Sequence, residues 1–378
     1  MVRLLDSTLR EGEQTPGVCF PPHAKLAIAS LLDRFGVGVI EAGHPAVCAG
    51  IEAAVRALAG RGFRAQIAAH ARSLRSDVDK ALDCGVDFLG VFFCVSSSRL
   101  EGVFRRSLAT AIDQIADCIA YAKEGRPELT VRYTPEDTVR SPFENVVDAA
   151  AAAVEAGADI ISIADTTGAM IPARRSLHDF VLRLREALAS RGAEPLLAVH
   201  CHDDRGLALA NALDAYRAGV DVIDVTVLGL GERAGLVDLA TLATVLAADF
   251  GEEGWELSLL PRLYETVSTY CGVPVPVTAP VVGANAFTHC AGVHTHAATR
   301  NAVHYQSLDP ALVGREMQVS LDHMSGLSSV QYAMEAIGED PEDRELARRV
   351  LAEVKRVGEQ GRSVRAGELA DIVRWVRA

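Results

Sequence analysis

Gly36-Val37-Gly38-Val39-Ile40, Gly85-Val86-Asp87-Phe88-Leu89, Gly157-Ala158-Asp159-Ile160-Ile161 and Gly219-Val220-Asp221-Val222-Ile223 repeat one pattern: a glycine, a short spacer, then an apolar run. A glycine closing a helix takes the left-handed conformation that other residues avoid, and an apolar run without alternation suits a strand covered on both faces. Between these units lie shorter apolar runs at Val2 to Asp6, Arg64 to His70, Leu129 to Thr134 and Leu196 to His202, which brings the strand count to eight. Alanine-rich helical stretches such as Phe143 to Ala156 alternate with them, so the strands should pair in parallel through right-handed crossovers. Eight such units within about 250 residues predict an α/β fold, a (β/α)8 TIM barrel. A doubly wound open sheet is the structural alternative.

Beyond Phe250 the strand and helix rhythm stops. The expected organisation is a catalytic barrel over residues 1–250, a linker over 251–280 containing the Pro-rich stretch Val273 to Pro280, and a mainly helical C-terminal subdomain over 281–378 that covers the active site. A chain of 378 residues, 49% hydrophobic, can fill one large core and a second smaller one. It has no run of about 18 apolar residues and no basic leader, so a membrane span and a signal peptide are not expected and the protein should be cytoplasmic. A net charge of −13 argues against nucleic acid as a partner, while a few convergent arginines could still hold a small anionic substrate. Eight dispersed cysteines without a CxxC pair fit reduced thiols rather than a disulfide framework.

Chemistry concentrates at the predicted strand ends. His200-Cys201-His202 closes the seventh strand, and residues i and i+2 of a strand share a face, so both imidazoles can face one metal ion at the end of the barrel where catalysis sits. The first strand runs into Asp6-Ser7-Thr8-Leu9-Arg10-Glu11-Gly12-Glu13-Gln14, whose carboxylates could complete a set of two histidines and an acid with open coordination positions. A 2-oxo acid could chelate such an ion, and Arg10 could hold the alkoxide that develops.

The segment Asp6 to Phe20, DSTLREGEQTPGVCF, resembles the signature of the homocitrate and isopropylmalate synthase family, within the barrel metallolyases that include hydroxymethylglutaryl-CoA lyase. Ile40 to Pro45, His200 to Ala208 and Gly229 to Gly235 recur in the order and spacing of that family, and Phe287 to His294 resembles its FTHKAGIH segment. The resemblance implies that Glu11, His200 and His202 bind a divalent metal (Mn, Mg, Zn or Co), that Arg10 contacts the oxo acid, and that Glu41 supports the site from behind. It implies acceptor binding by His70, Arg132, Thr134, Glu136 and Thr166, and acid-base steps by His294 and Tyr305. The implied reaction is a Claisen condensation of acetyl-CoA with a 2-oxo acid, in a homodimer whose active site is completed in trans.

The chain also departs from that pattern: Leu236 replaces an asparagine near the metal, Leu228 stands in a VNG motif, Ala198 replaces a glutamate two residues before the first metal histidine, and Asp203 replaces the asparagine of HND. Carbon-carbon lyase chemistry and a degenerate protein that only binds a ligand are therefore carried as alternatives. Gly229-Leu230-Gly231-Glu232-Arg233-Ala234 superficially fits a dinucleotide fingerprint but arrives at the last strand, where such a fingerprint does not belong. Arg132, Thr134 and His70 together favour an acceptor with a second anionic group, 2-oxoglutarate first, then oxaloacetate or phosphonopyruvate, because a branched apolar acceptor would leave them unpaired.

Overall fold

The computed structural model describes residues 2–301 and 304–378. It divides into a first unit that ends at Val275 and a second that runs from Pro276 to Ala378. In the first unit eight strands, β1 (Arg3–Asp6), β2 (Val39–Gly43), β3 (Gln66–Arg72), β4 (Phe88–Cys94), β5 (Thr130–Glu136), β6 (Ile160–Asp165), β7 (Leu196–Cys201) and β8 (Val222–Val225), pair in sequence order. All pairings are parallel, and β8 returns to β1 with Arg3 opposite Val222 and Asp6 opposite Val225, which closes the barrel and excludes the open sheet.

Local chemistry explains the alternation. The helix Pro22–Phe35 starts with proline at its first turn, buries Ala24, Ile28, Leu31, Leu32 and Phe35 on one stripe, and ends at Gly36 with φ 106°. Ser176 and Asp238 cap the helices Leu177–Ala189 and Leu239–Phe250 by accepting from the backbone N–H of Asp179 and Thr241. The other expected helix stops, Gly85, Gly157 and Gly219, also have positive φ, so the repeated glycine is the left-handed turn that admits the next strand.

Side-chain parity then builds the barrel interior in tiers. Leu5, Val39, Ala68, Phe88, Ile160, Ala198 and Val222 form one solvent-free apolar cluster. Two residues further along the same strands stand Glu41, His70, His200 and Asp224, joined by Arg132 of β5, so the tier nearer the strand C-termini is charged.

The first unit continues past the expected boundary at residue 250. Leu260–Cys271 is a helix rather than linker, with Leu260, Leu263, Tyr264 and Val267 buried along one stripe. The Tyr264 hydroxyl donates to Asp238 at 2.6 Å and accepts from the Ala240 N–H at 2.8 Å, which ties this helix to the start of Leu239–Phe250. The second unit is mainly helical, as expected. Its helices Leu327–Ala336, Arg344–Gly358 and Ala366–Arg377 enclose a core that includes Val330, Met334, Val350, Val354, Leu369 and Val373. A two-residue parallel ladder, Thr288–His289 with Gln318–Val319, and an isolated antiparallel bridge between Leu321 and Val364 add to that reading.

The helix stops give a stability test. A Cβ on Gly36 would lie 2.3 Å from the Gly254 carbonyl oxygen, whereas one on Gly85 would meet open space. Gly36→Ala should cost about 2–3 kcal/mol and Gly85→Ala about 1 kcal/mol in urea unfolding followed by circular dichroism. Equal losses would mean that the Gly254 contact imposes nothing.

Candidate active site

At the C-terminal end of the barrel strands a cavity of about 240 Å³ is lined by Arg10, Glu11, His70, Arg132, Thr134, Glu136, Thr166, His200 and His202, so nine of the residues singled out in the sequence converge on one place. Glu41 lies behind its wall, 1% exposed, where Arg10 Nε donates to it at 2.6 Å and the Ser7 hydroxyl at 2.5 Å. His70 Nδ1 is 3.1 Å from its other oxygen, and Arg132 Nη2 reaches that oxygen at 3.4 Å. Arg132 also grips both oxygens of Asp224 at 2.8 and 2.9 Å, and Asp224 holds His200 Nδ1 at 2.9 Å. These ion pairs are almost solvent-free, which is tolerable only because each charge meets an opposite one.

The network fixes protonation states. Burial alone would raise Glu41, but Arg10, His70 and Arg132 outweigh it and hold its carboxyl well below the usual range. Burial and the Arg10 charge push His70 down to about 4, so the neutral ring donates a hydrogen bond from its Nδ1–H to Glu41. Burial and neighbouring His200 likewise push His202 to about 4. Glu11, also buried, is nevertheless lowered by Arg10, His200 and His202.

Among the described residues no three His, Cys, Asp or Glu already stand in a metal-holding arrangement. Glu11 is turned to Arg10 Nη1, with its other oxygen accepting from the Glu232 N–H at 3.3 Å. The donor chemistry nevertheless fits a divalent cation. Asp224 occupies Nδ1 of His200, which leaves its Nε2 3.3 Å from Nε2 of His202, and two ring nitrogens facing each other beside the Glu11 carboxylate form a donor set that a cation would satisfy. The Nδ1 of His202 is buried without a partner.

Other expected contacts are only partly free. The Thr134 hydroxyl and Arg132 Nε are buried without partners and can receive a ligand. Glu136 is paired with Arg99 at 2.6 Å, and the Thr166 hydroxyl accepts from the Asp137 N–H at 3.0 Å. His294 and Tyr305 belong to the second unit, where their rings lie side by side with centroids 4.4 Å apart. Sequence reasoning gave no role to His44, Phe92 and Asp224, which also line the cavity. An acid inside the apolar run Val222-Ile223-Asp224-Val225 was the available signal for Asp224; His44 and Phe92 carried none of comparable strength.

The HMGL-like family model matches residues 1–267, and the model for the homocitrate synthase post-HMGL domain matches residues 281–362. The chain belongs to the HMGL-like family. It is 41% identical to a homocitrate synthase of Pyrococcus horikoshii over 93% of this chain and 94% of that one. It is 41% identical to a homocitrate synthase of Methanopyrus kandleri over 99% and 92%, and 39% identical to a probable 2-isopropylmalate synthase of Ignicoccus hospitalis over 99% and 92%. Among solved structures, the hydroxymethylglutaryl-CoA lyase of Bacillus subtilis matches with a TM-score of 0.62 at 24% identity, covering 73% of this chain and 95% of that one, a likeness of fold alone. Similarity to synthases along nearly the whole chain makes this HMGL-like protein a condensing enzyme, an acyltransferase that converts the acyl group into an alkyl group on transfer.

The departures from the family pattern have local explanations. Leu236 is 2% exposed and meets His202 through a backbone bridge, so it supports the loop instead of presenting a polar atom. Ala198 belongs to the apolar tier, and the ion partners of Arg132 are Asp224 and Glu41.

Two stability tests follow from the network. Removing one partner leaves a buried charge unpaired, so Arg132→Met and Asp224→Ala should each cost about 3–5 kcal/mol while the double variant costs clearly less than their sum. Additive losses would mean that the pair is not coupled. Asp6 is fully buried with Oδ2 unpartnered, and burial raises its carboxyl from 3.8 to about 7. Its contribution to stability is therefore full below about pH 4, declines as pH rises, and is gone above pH 7. Asp6→Asn, which keeps an acceptor for the Thr8 N–H, should gain stability relative to the parent between pH 5 and pH 8 in thermal melts; a constant difference would place the titration elsewhere.

Proposed function

We propose that this protein condenses acetyl-CoA with a 2-oxo acid that carries a second anionic group, 2-oxoglutarate first and oxaloacetate or phosphonopyruvate next. The observation that supports this most is the polar far side of the cavity: His70, the unpartnered Thr134 hydroxyl and the unpartnered Arg132 Nε would be buried against hydrocarbon by a branched aliphatic acceptor. The homocitrate synthase name of the Pyrococcus and Methanopyrus relatives agrees with it.

In this reading Glu11, His200 and His202 hold a divalent cation (Mn, Mg, Zn or Co), which when bound supplies a Lewis acid for the ketone and carboxylate of the acceptor. Arg10 is positioned by Glu41, and its Nη2, without a partner among the described residues, can face the ketone oxygen as negative charge develops. Asp224 keeps His200 in one tautomer, and the apolar tier beneath keeps water out of the barrel. Acid-base steps fall to His294 and Tyr305. A base takes a methyl proton from the thioester, the resulting carbanion attacks the ketone carbon, and hydrolysis of the new thioester releases the CoA thiol. We extend the proposal to a cytoplasmic homodimer in which the second unit of one subunit supplies these two groups to the barrel of the other.

The test is release of CoA thiol from acetyl-CoA with separate 2-oxo acids and a panel of divalent metals. Release with 2-oxoglutarate, oxaloacetate or phosphonopyruvate is expected; release only with 2-oxoisovalerate would assign an isopropylmalate synthase instead. Glu11→Ala and His202→Ala should each weaken metal binding at least about 100-fold by equilibrium dialysis and lose turnover in parallel. Full metal binding by both variants would remove these ligands from the proposal.

A further inference from the structure

A second cavity, of about 270 Å³, lies at the ends of β3, β4 and β5, and it shares Phe92 and Glu136 as walls with the candidate active site. Phe92 stacks on His70 of the first cavity, with centroids 4.6 Å apart. The second is otherwise walled by Leu74, Phe93 and Phe104, and the rings of Phe93 and Phe104 lie 4.9 Å apart at 48°. Phe104 closes a single π-helical turn, Leu100–Phe104, an irregular winding that recurs at functional sites. It is 38% exposed and its neighbour Val103 68%, so the rim carries apolar surface that folding leaves uncovered.

The charges around this cavity do not balance. Glu136 is matched by Arg99 at 2.6 Å, and Arg72 grips both oxygens of Asp77 at 2.8 and 2.9 Å. Arg105 and Arg106, by contrast, form no ion pair among the described residues. Arg106 lines the cavity, held there by donating from Nη1 to the side-chain carbonyl of Gln114, whose own amide donates to the Ser73 carbonyl. Gln114 is neutral, so it orients the guanidinium without cancelling its charge. A guanidinium stays charged at any pH the protein meets, and in a chain of net charge −13 an unmatched one is a local exception. Aromatic faces for a flat base and a free guanidinium for phosphate together make the surface that recognises a nucleotide.

We propose that this second cavity holds the phosphorylated nucleotide end of the acyl-CoA, its base against Phe93 and Phe104 and a phosphate on Arg106, while the thioester reaches past Phe92 into the candidate active site. The inference rests on the proposed function for the identity of the ligand. It gives a role to residues that the reaction itself does not use.

The test compares the parent with Arg106→Gln and Phe104→Ala, using acetyl-CoA against acetyl-pantetheine, which lacks the nucleotide. The ratio of kcat/KM for acetyl-CoA over acetyl-pantetheine should fall roughly 10- to 100-fold in each variant, with turnover of acetyl-pantetheine unchanged. Calorimetric titration of CoA reads the site independently of turnover, and its affinity should fall in parallel. An unchanged ratio with unchanged CoA affinity places the nucleotide elsewhere and overturns the inference, as does a parent that binds no CoA. A change in sedimentation of either variant with CoA affinity unaltered assigns this surface to a second copy of the chain and overturns it too. If the parent releases no CoA thiol with any 2-oxo acid while CoA affinity still falls in both variants, the proposed reaction fails and this site stands.

Discussion

Glu41 sits where a carboxylate has no business unless it is surrounded by donors. It lies inside a closed barrel above an apolar tier, 1% exposed, and it accepts from Arg10, Ser7, His70 and Arg132. Stripping water from a carboxylate costs several kcal/mol, and only convergent charge-assisted hydrogen bonds restore it. Every partner is thereby fixed in return. Arg10 is held across the mouth of β1, His70 is confined to one tautomer, and Arg132 is stretched from Glu41 to Asp224. Asp224 then orients His200, so the direction of a ring nitrogen in the cavity traces back to one acid on β2.

Strand parity is what turns this constraint into a site. With a repeat of two, one step toward the C-terminal end replaces Val39 by Glu41, Ala68 by His70, Ala198 by His200 and Val222 by Asp224 on the same inward face. Hydrocarbon below and charge above give low polarisability and little water, the setting in which ion pairs and oriented imidazoles act most strongly. Gly90 belongs to the same logic: a Cβ there would stand 3.3 Å from His70 Nδ1 and 3.6 Å from Glu41 Oε1, so its absence leaves room for that contact.

The loop after β8 closes the other side by backbone proximity. A Cβ on Gly235 would fall 1.7 Å from the Gly229 carbonyl oxygen, and one on Gly231 would stand 3.2 Å from Glu11 Cγ. The glycines of a segment that superficially fits a dinucleotide fingerprint thus serve close chain packing beside an acidic side chain, and Leu228 takes a positive φ of 63° in the same turn. The replacements at Leu228 and Leu236 are compatible with this packing because the loop contributes mainly backbone groups there, including the Leu236 N–H bonded to Gly229.

Taken alone, the amino-acid sequence determined the eight-strand rhythm, because a left-handed glycine before an apolar run is a local requirement that does not depend on distant residues. It also determined that Arg10, Glu11, His200 and His202 belong to one end of the barrel, since strand ends and parity follow from periodicity. The helix Leu260–Cys271 escaped it: the stripe at 260, 263, 264 and 267 was legible, but its attachment runs through a tyrosine hydroxyl to the cap of another helix. Only the tertiary structure decided which charges cancel. The pairing of Arg132 with Asp224 joins residues 92 positions apart, and that of Arg10 with Glu41 joins residues 31 apart. Such contacts depend on where the closed barrel brings its strands, and no local pattern encodes that distance.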